Sequence, residues 1–150
     1  MINSKRPLYL LVLSGISGLL IAALGGGLFG QQQPSFLQWQ HRLFSGLCHQ
    51  LPQRSFCING QPMAVCSRCF GIYSSFGLGW LGLPLLAQLK ERLIPSARTL
   101  LIAAVFLNIL DFLGNLLGFW HNTLVSRMVA GSTVGLLAAT FLSTSFFHIN

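Results

Sequence analysis

Four cysteines fall in one short stretch of the chain: Cys48, Cys57, Cys66 and Cys69. The last two form Cys66-Ser67-Arg68-Cys69, a spacing that puts both sulfurs on one face if a helix starts there. Cys48-His49 supplies two further soft or borderline donors. A thiol pair joined by a Cys and a His carried in by a turn matches tetrahedral zinc ligation. Adjacent Cys48 and His49 seldom reach one ion together, so Cys57 or a nearby histidine is an alternative fourth ligand. The same sulfurs also suit thiol–disulfide chemistry. At a helix N-terminus, beside Arg68, the helix dipole and the cation favour the thiolate. On the outer face of a membrane such a pair would exchange with a loop disulfide and pass electrons to a quinone. An even cysteine count in an oxidising compartment equally permits two stapling disulfides. Spacing alone leaves all three readings open.

A third pattern, Cys48-His49-Gln50-Leu51-Pro52-Gln53-Arg54-Ser55, has the Cys-x5-Arg-Ser spacing of cysteine phosphatases. In those enzymes a loop of backbone N–H groups cradles the phosphate while the thiolate attacks. Here the loop has no glycine, contains a proline that removes one N–H, and follows no evident strand. A cysteine-dependent lipid phosphatase is accordingly the weaker reading, together with a small transporter.

The elements that must position these groups are membrane-spanning helices. Of the 150 residues, 53% are hydrophobic and 7% charged, against about 25% charged in soluble domains. The formal net charge of +7 rests on nine Lys and Arg against two acids, Glu91 and Asp111. Those cations stand singly or in pairs at the ends of apolar stretches, as topology signals do. A nucleic-acid binder would cluster them on a solvated face, so nucleic acid is excluded as a partner. The partner implied is the lipid bilayer.

About 20 apolar residues span a bilayer. Such stretches occur over residues 8–30, 66–88, 99–120 and 124–147, which predicts an all-α, four-helix membrane bundle folded as one integral domain over 1–150. Lys5-Arg6, the apolar run and Ala23-Leu24-Gly25 also have the parts of a cleaved signal peptide, although the run continues to Phe29. Lys5, Arg6, Lys90, Arg92 and Arg98 flank one side of the spans against Arg42 and Arg54 on the other. Both termini are therefore expected in the cytoplasm and the 31–65 loop outside. Gly114/Gly118 and Gly131/Gly135 are small-xxx-small pairs suited to close helix packing.

Within that loop, Phe36, Leu43, Phe44, Leu47 and Leu51 recur at helical spacing. Gln38, Gln40, His41 and Arg42 occupy the other face, with Trp39 near the boundary. This predicts an interfacial amphipathic helix, or one capping the bundle. Leu51-Pro52 ends it, and Asn59-Gly60 signals a tight turn that folds Cys66 back towards Cys48.

The polar residues of the spans gather at the same boundary. Asp111 and Asn115 share a helix face, and Asn122 and Arg127 follow across the last short loop. With about 1.5 Å of rise per residue, Asp111 is expected roughly 14 Å below Trp120. A lone carboxylate at that depth must pair, be protonated or line a wet cavity, and Arg68 and Arg127 are the available cations. Tyr73, one turn beyond Cys69, is expected to face the same pocket. His41, His49 and His121 fall on this side, and His148 lies at the opposite end.

The string Cys48-His49-Gln50, Pro52, Arg54-Ser55-Phe56, then Cys66-x-Arg68-Cys69-x-Gly71-Ile72-Tyr73 resembles domain-of-unknown-function family 2085, uncharacterised bacterial and archaeal membrane proteins. Asp111, Asn122, Arg127 and Gly131 are similar to its second block, and the likeness runs from about Phe44 to Gly135. Two departures stand out: Phe112 follows Asp111 where the family commonly has Gly, and Cys57 lies outside the family pattern. The resemblance implies a polytopic protein of a prokaryotic plasma membrane and leaves Cys48, His49, Cys66 and Cys69 as the metal set. It brings no activity. The combined expectation is a metal site, with zinc the leading ion, above a pocket shaped by Arg54, Arg68, Tyr73, Asp111, Asn115, Asn122 and Arg127. That pocket would take a small polar or anionic ligand. Quinone-linked thiol oxidoreduction is the alternative.

Overall fold

A computed structural model describes residues 6–30, 38–82 and 90–147. Among these residues, five α-helices carry the fold: α1 (Arg6–Ala23), α2 (Trp39–Phe44), α3 (Ser67–Leu81), α4 (Lys90–Leu116) and α5 (Leu124–Phe147). Two short strands, β1 (Cys57–Ile58) and β2 (Gln61–Pro62), pair antiparallel across Asn59-Gly60. Both turn residues hold positive φ, 51° and 77°, the backbone that a two-residue hairpin needs and that Asn-Gly supplies at least cost. The expected span over 66–88 coincides with α3 as far as Leu81, and residues 83–89 lie outside the described segments, as do 31–37, Lys5 and His148.

Packing runs in the order α1, α3, α5, α4. α1 and α3 are antiparallel: Trp80 donates to the Tyr9 carbonyl and stacks on its ring, while Ala64, just before α3, donates to the Ala23 carbonyl. α3 and α5 run parallel and touch backbone to backbone. A Cβ at Gly71 would strike the Met128 carbonyl, and one at Gly131 or Gly135 would strike the carbonyls of Arg68 and Ile72. Only glycine allows that approach. The C-termini of α1 and α4 and the N-termini of α3 and α5 therefore share one end of the bundle, where the chemistry-bearing residues lie.

Among the described residues, two helices are long and apolar enough to cross a membrane, over Arg98–Leu116 and Leu124–Leu142, and a shorter apolar helix covers Pro7–Ala23. The side chains of Ile102, Phe106, Leu107 and Val125 point away from the protein, which water would penalise and lipid would not.

Three local features differ from expectation. First, α4 stops at Leu116 rather than at Trp120. Gly118, at φ 78°, turns the chain, and the Phe119 N–H reaches back to the Gly114 carbonyl at 2.9 Å, the glycine-terminated C-cap. Trp120 folds back over Gly114, where any Cβ would collide with its ring. Gly114 and Gly118 thus form a turn and a seat for an indole instead of a helix-packing pair, and Trp120 touches Asp111 instead of standing 14 Å above it. Secondly, the polar face of α2 turns inward. Gln38, Gln40 and His41 are buried with Phe44, while Trp39, Leu43 and Leu47 point outward. An apolar exterior explains the inversion, because lipid outside lets apolar side chains face out. Gln38 is held by accepting the Gly26 N–H at 3.0 Å. Thirdly, Gln50 adopts φ 51° and its amide donates to the carbonyls of His41, at 2.6 Å, and Ala64, at 3.0 Å. That clamp joins the end of α2 to the segment leading into α3, and it offsets a backbone conformation that non-glycine residues seldom adopt.

Candidate metal centre

Each cysteine reaches the site on a different support. Cys48 ends the turn after α2, its N–H bonded to the Phe44 carbonyl at 2.9 Å, and its side chain is buried. Cys66 is the N-cap residue of α3, delivered by the hairpin. Cys69 stands one turn further on. The three sulfurs all lie within 4.8 Å of one another. Zinc–sulfur bonds of about 2.3 Å in a tetrahedron place the sulfurs roughly 3.8 Å apart, so small side-chain adjustments would close this triangle on one ion. The Cys66 N–H, an unpaired donor of the first helical turn, points at the Cys48 sulfur at 3.2 Å. All four cysteines are free thiols, and Cys57 is exposed on β1, apart from the cluster.

The cluster forms one wall of an open cavity of about 200 Å³. Arg54, Arg68, Asn115, Arg127 and His49 line it with apolar Leu47, Leu51, Ile72 and Phe112. His49 is exposed and does not join the sulfur triangle. Tyr73 packs behind the cluster against Phe44, ring centroids 6.0 Å apart, and does not line the cavity. Asp111 and Asn122 stand behind the lining as its support. The Asp111 carboxylate pairs with Arg68 and accepts from Asn122 Nδ2 at 2.7 Å and Trp120 Nε1 at 3.3 Å. Arg127 donates to Asn115 Oδ1 at 3.0 Å, and Asn115 Nδ2 donates to the Trp120 carbonyl at 2.9 Å. The Arg54 side chain has no hydrogen bond or ion pair to any described residue. Nε of Arg68 is buried and likewise without a partner among the described residues. Three guanidinium groups therefore face one cavity, and a single carboxylate neutralises one of them.

The loop from Cys48 to Ser55 has several N–H groups already committed or missing. The Arg54 and Ser55 N–H groups are taken by the carbonyls of Leu51 and Pro52, and Pro52 has none. Several contributors escape sequence reasoning. Trp120 becomes a ligand of Asp111 only because Gly118 reverses the chain. Asn108 ties α4 to α5 through the Ala130 carbonyl at 2.9 Å, a role that its apolar neighbours do not signal. Phe112, noticed only as a departure from a family pattern, proves to line the cavity.

These features define a mostly helical protein with two described helices apolar and long enough to span a membrane, and a three-thiol cluster beside a cationic cavity. The profile of the family described as predicted membrane protein, DUF2085, matches residues 48–141, and the chain belongs to that family. It is 34% identical over 109 residues to an uncharacterised protein of Methanocaldococcus jannaschii, covering 73% of this chain and 69% of that one. It is also 34% identical over 94 residues to an uncharacterised protein of Methanothermobacter thermautotrophicus, covering 62% of this chain and 81% of the other. No solved structure matches it. The match begins at Cys48 and takes in every residue of the cluster and cavity except Leu47.

Proposed function

We propose that this is a four-span membrane protein whose Cys48, Cys66 and Cys69 bind one zinc ion beside a pocket for a small anionic ligand. The observation that carries the reading is the convergence of three thiols, one of them buried, on a cavity that also receives three arginines. Three protein ligands leave a fourth zinc position open, the arrangement of reactive rather than purely structural zinc sites. A ligand oxygen in the cavity, or His49, would complete the tetrahedron. Arg54, Arg68 and Arg127 supply attraction for negative charge, and the N-termini of α3 and α5 add the positive ends of two helix dipoles. In this reading the site lies at the outer face of a prokaryotic plasma membrane, with both termini in the cytoplasm.

The test is elemental analysis of protein purified without chelators. The wild type should carry about one zinc per chain, and Cys66→Ser combined with Cys69→Ser should carry none. A wild type purified from zinc-supplemented cells without bound metal would overturn the metal reading.

Thiol–disulfide exchange is the second reading, favoured by Cys66 and Cys69 one turn apart at the start of α3, both free. Closing a disulfide between them would release two protons and pass two electrons to a quinone, held against the apolar lining. Thiol counting decides: two thiols lost on quinone addition, and regained on reduction, would favour this reading over zinc.

A further inference from the structure

We infer that the cavity holds the phosphate end of a lipid that enters sideways from the bilayer; this rests on the anion-binding half of the reading above. Three observations lead to it. The guanidinium groups come from three different elements: Arg54 from the turn before β1, Arg68 from α3 and Arg127 from α5. A carboxylate presents two oxygens in one plane and satisfies one fork. A phosphate presents oxygens in tetrahedral directions and can be gripped from several sides. The donors are also available: the Arg54 guanidinium is bonded to nothing described, Arg127 uses one N–H on Asn115, and the buried Nε of Arg68 has no partner among the described residues. A buried donor of this kind is disfavoured unless something accepts from it.

The third observation concerns the rim. Leu47, Leu51 and Phe112 line the same cavity, yet they are 73%, 38% and 43% exposed. Leu47 continues the outward apolar face of α2, made by Trp39 and Leu43. A site for a free anion has no use for such a rim, whereas an acyl or isoprenoid chain would lie along it. A polar floor under an apolar open edge is the shape complementary to an amphiphile with a phosphate head.

Purified zinc-replete protein in a neutral detergent separates the possibilities. Dioctanoyl phosphatidic acid, inorganic phosphate and dioctanoylglycerol are titrated while thermal unfolding is followed. Phosphatidic acid is expected to raise the unfolding temperature with a Kd at least about tenfold below that for phosphate, and dioctanoylglycerol to do nothing. Arg54→Gln should weaken phosphatidic acid binding by about tenfold, the loss of one charge-assisted contact, and Arg54→Lys should recover part of it. Because the Arg54 side chain bonds to nothing described, its variants should fold as the wild type does, which keeps the test usable if Arg127→Gln does not fold. Equal affinity for phosphate and phosphatidic acid would overturn the lipid source and leave an anion pocket. No binding of either by protein that still carries zinc would overturn the pocket while leaving the metal reading intact. Unchanged binding in Arg54→Gln would overturn the assignment of the site.

Discussion

Replacing Asp111 by Asn tests the support behind the cavity. The side chains of Arg68 and Asp111 are 19% and 29% exposed, between a surface ion pair worth about 0.2–1 kcal/mol and a buried one whose disruption costs about 3–5 kcal/mol. Asn keeps the shape but removes the charge that Arg68 answers. It must also turn an N–H₂ towards one of the donors Arg68, Asn122 or Trp120. A loss of about 2–3 kcal/mol follows, which for a chain of this size lowers the unfolding temperature by roughly 5–10 °C. Arg68→Met should cost less, about 1 kcal/mol, because Asn122 and Trp120 still donate to the carboxylate. The double variant Arg68→Met with Asp111→Leu should recover most of the Asp111→Asn loss, since it leaves no unpaired charge. Scanning fluorimetry in detergent reads all three. Small additive effects, each below about 2 °C, would refute the pairing as the element that fixes this end of α4.

Burial holds the His41 imidazole below its usual pKa of 6.5, against the opposing pull of the Pro62 carbonyl and the Gln50 side chain. The unfolded chain then binds the proton more readily, so stability is complete above pH 6.5 and falls as the pH drops below it. His41→Gln should flatten that fall, and an unaltered profile in unfolding scans between pH 7 and 5 would refute it. Gly131→Ala would drive a Cβ into the Arg68 carbonyl and should cost about 1–3 kcal/mol. By contrast, Gly15→Ala, which meets nothing within 4 Å, should be neutral or slightly stabilising; equal effects in thermal scans would contradict the α3–α5 contact. Cys57 is exposed and should react with a membrane-impermeant maleimide in intact cells. In a cysteine-free background, His121→Cys should label from that same side, and labelling from opposite sides would break the shared boundary.

Membrane character and family were legible in the sequence because both depend on composition and local strings. Long apolar runs need no tertiary knowledge, and Cys48-His49-Gln50 with Cys66-x-Arg68-Cys69 needs no fold. The meeting of Cys48, Cys66 and Cys69 was legible too, since few residues separate them and the turn residues between are marked. What escaped depends on the surroundings. The inward polar face of α2 cannot be read from periodicity, which finds two faces but does not say which meets the protein. In lipid the usual assignment inverts. The end of α4 escaped because Leu116, Leu117 and Phe119 extend the apolar run past the true stop, and Gly118 reads equally as packing or as a cap. Gln50 and Asn108 act through backbone carbonyls of distant segments, which leave no mark on their neighbours.

One helical turn joins the two halves of the site. Arg68 lies between Cys66 and Cys69 at the start of α3, so the thiol triangle and the Arg68–Asp111 pair share a rigid support. Gly131 pins that support from behind, its α-carbon against the Arg68 backbone. A change at the sulfurs, whether metal uptake or disulfide closure, therefore bears on the turn that carries Arg68. From there it passes to Asp111 and to Asn122 and Trp120, which bond to that carboxylate. The Trp120 carbonyl in turn accepts from Asn115, whose Oδ1 accepts from Arg127. The chain of contacts ends on the cationic wall facing the cavity, so under the proposed reading a change of thiol state is expected to alter anion affinity. A protein in which Cys66→Ser left affinity for phosphate and for phosphatidic acid untouched, despite lost metal, would show that α3 holds its first turn without help from the sulfurs.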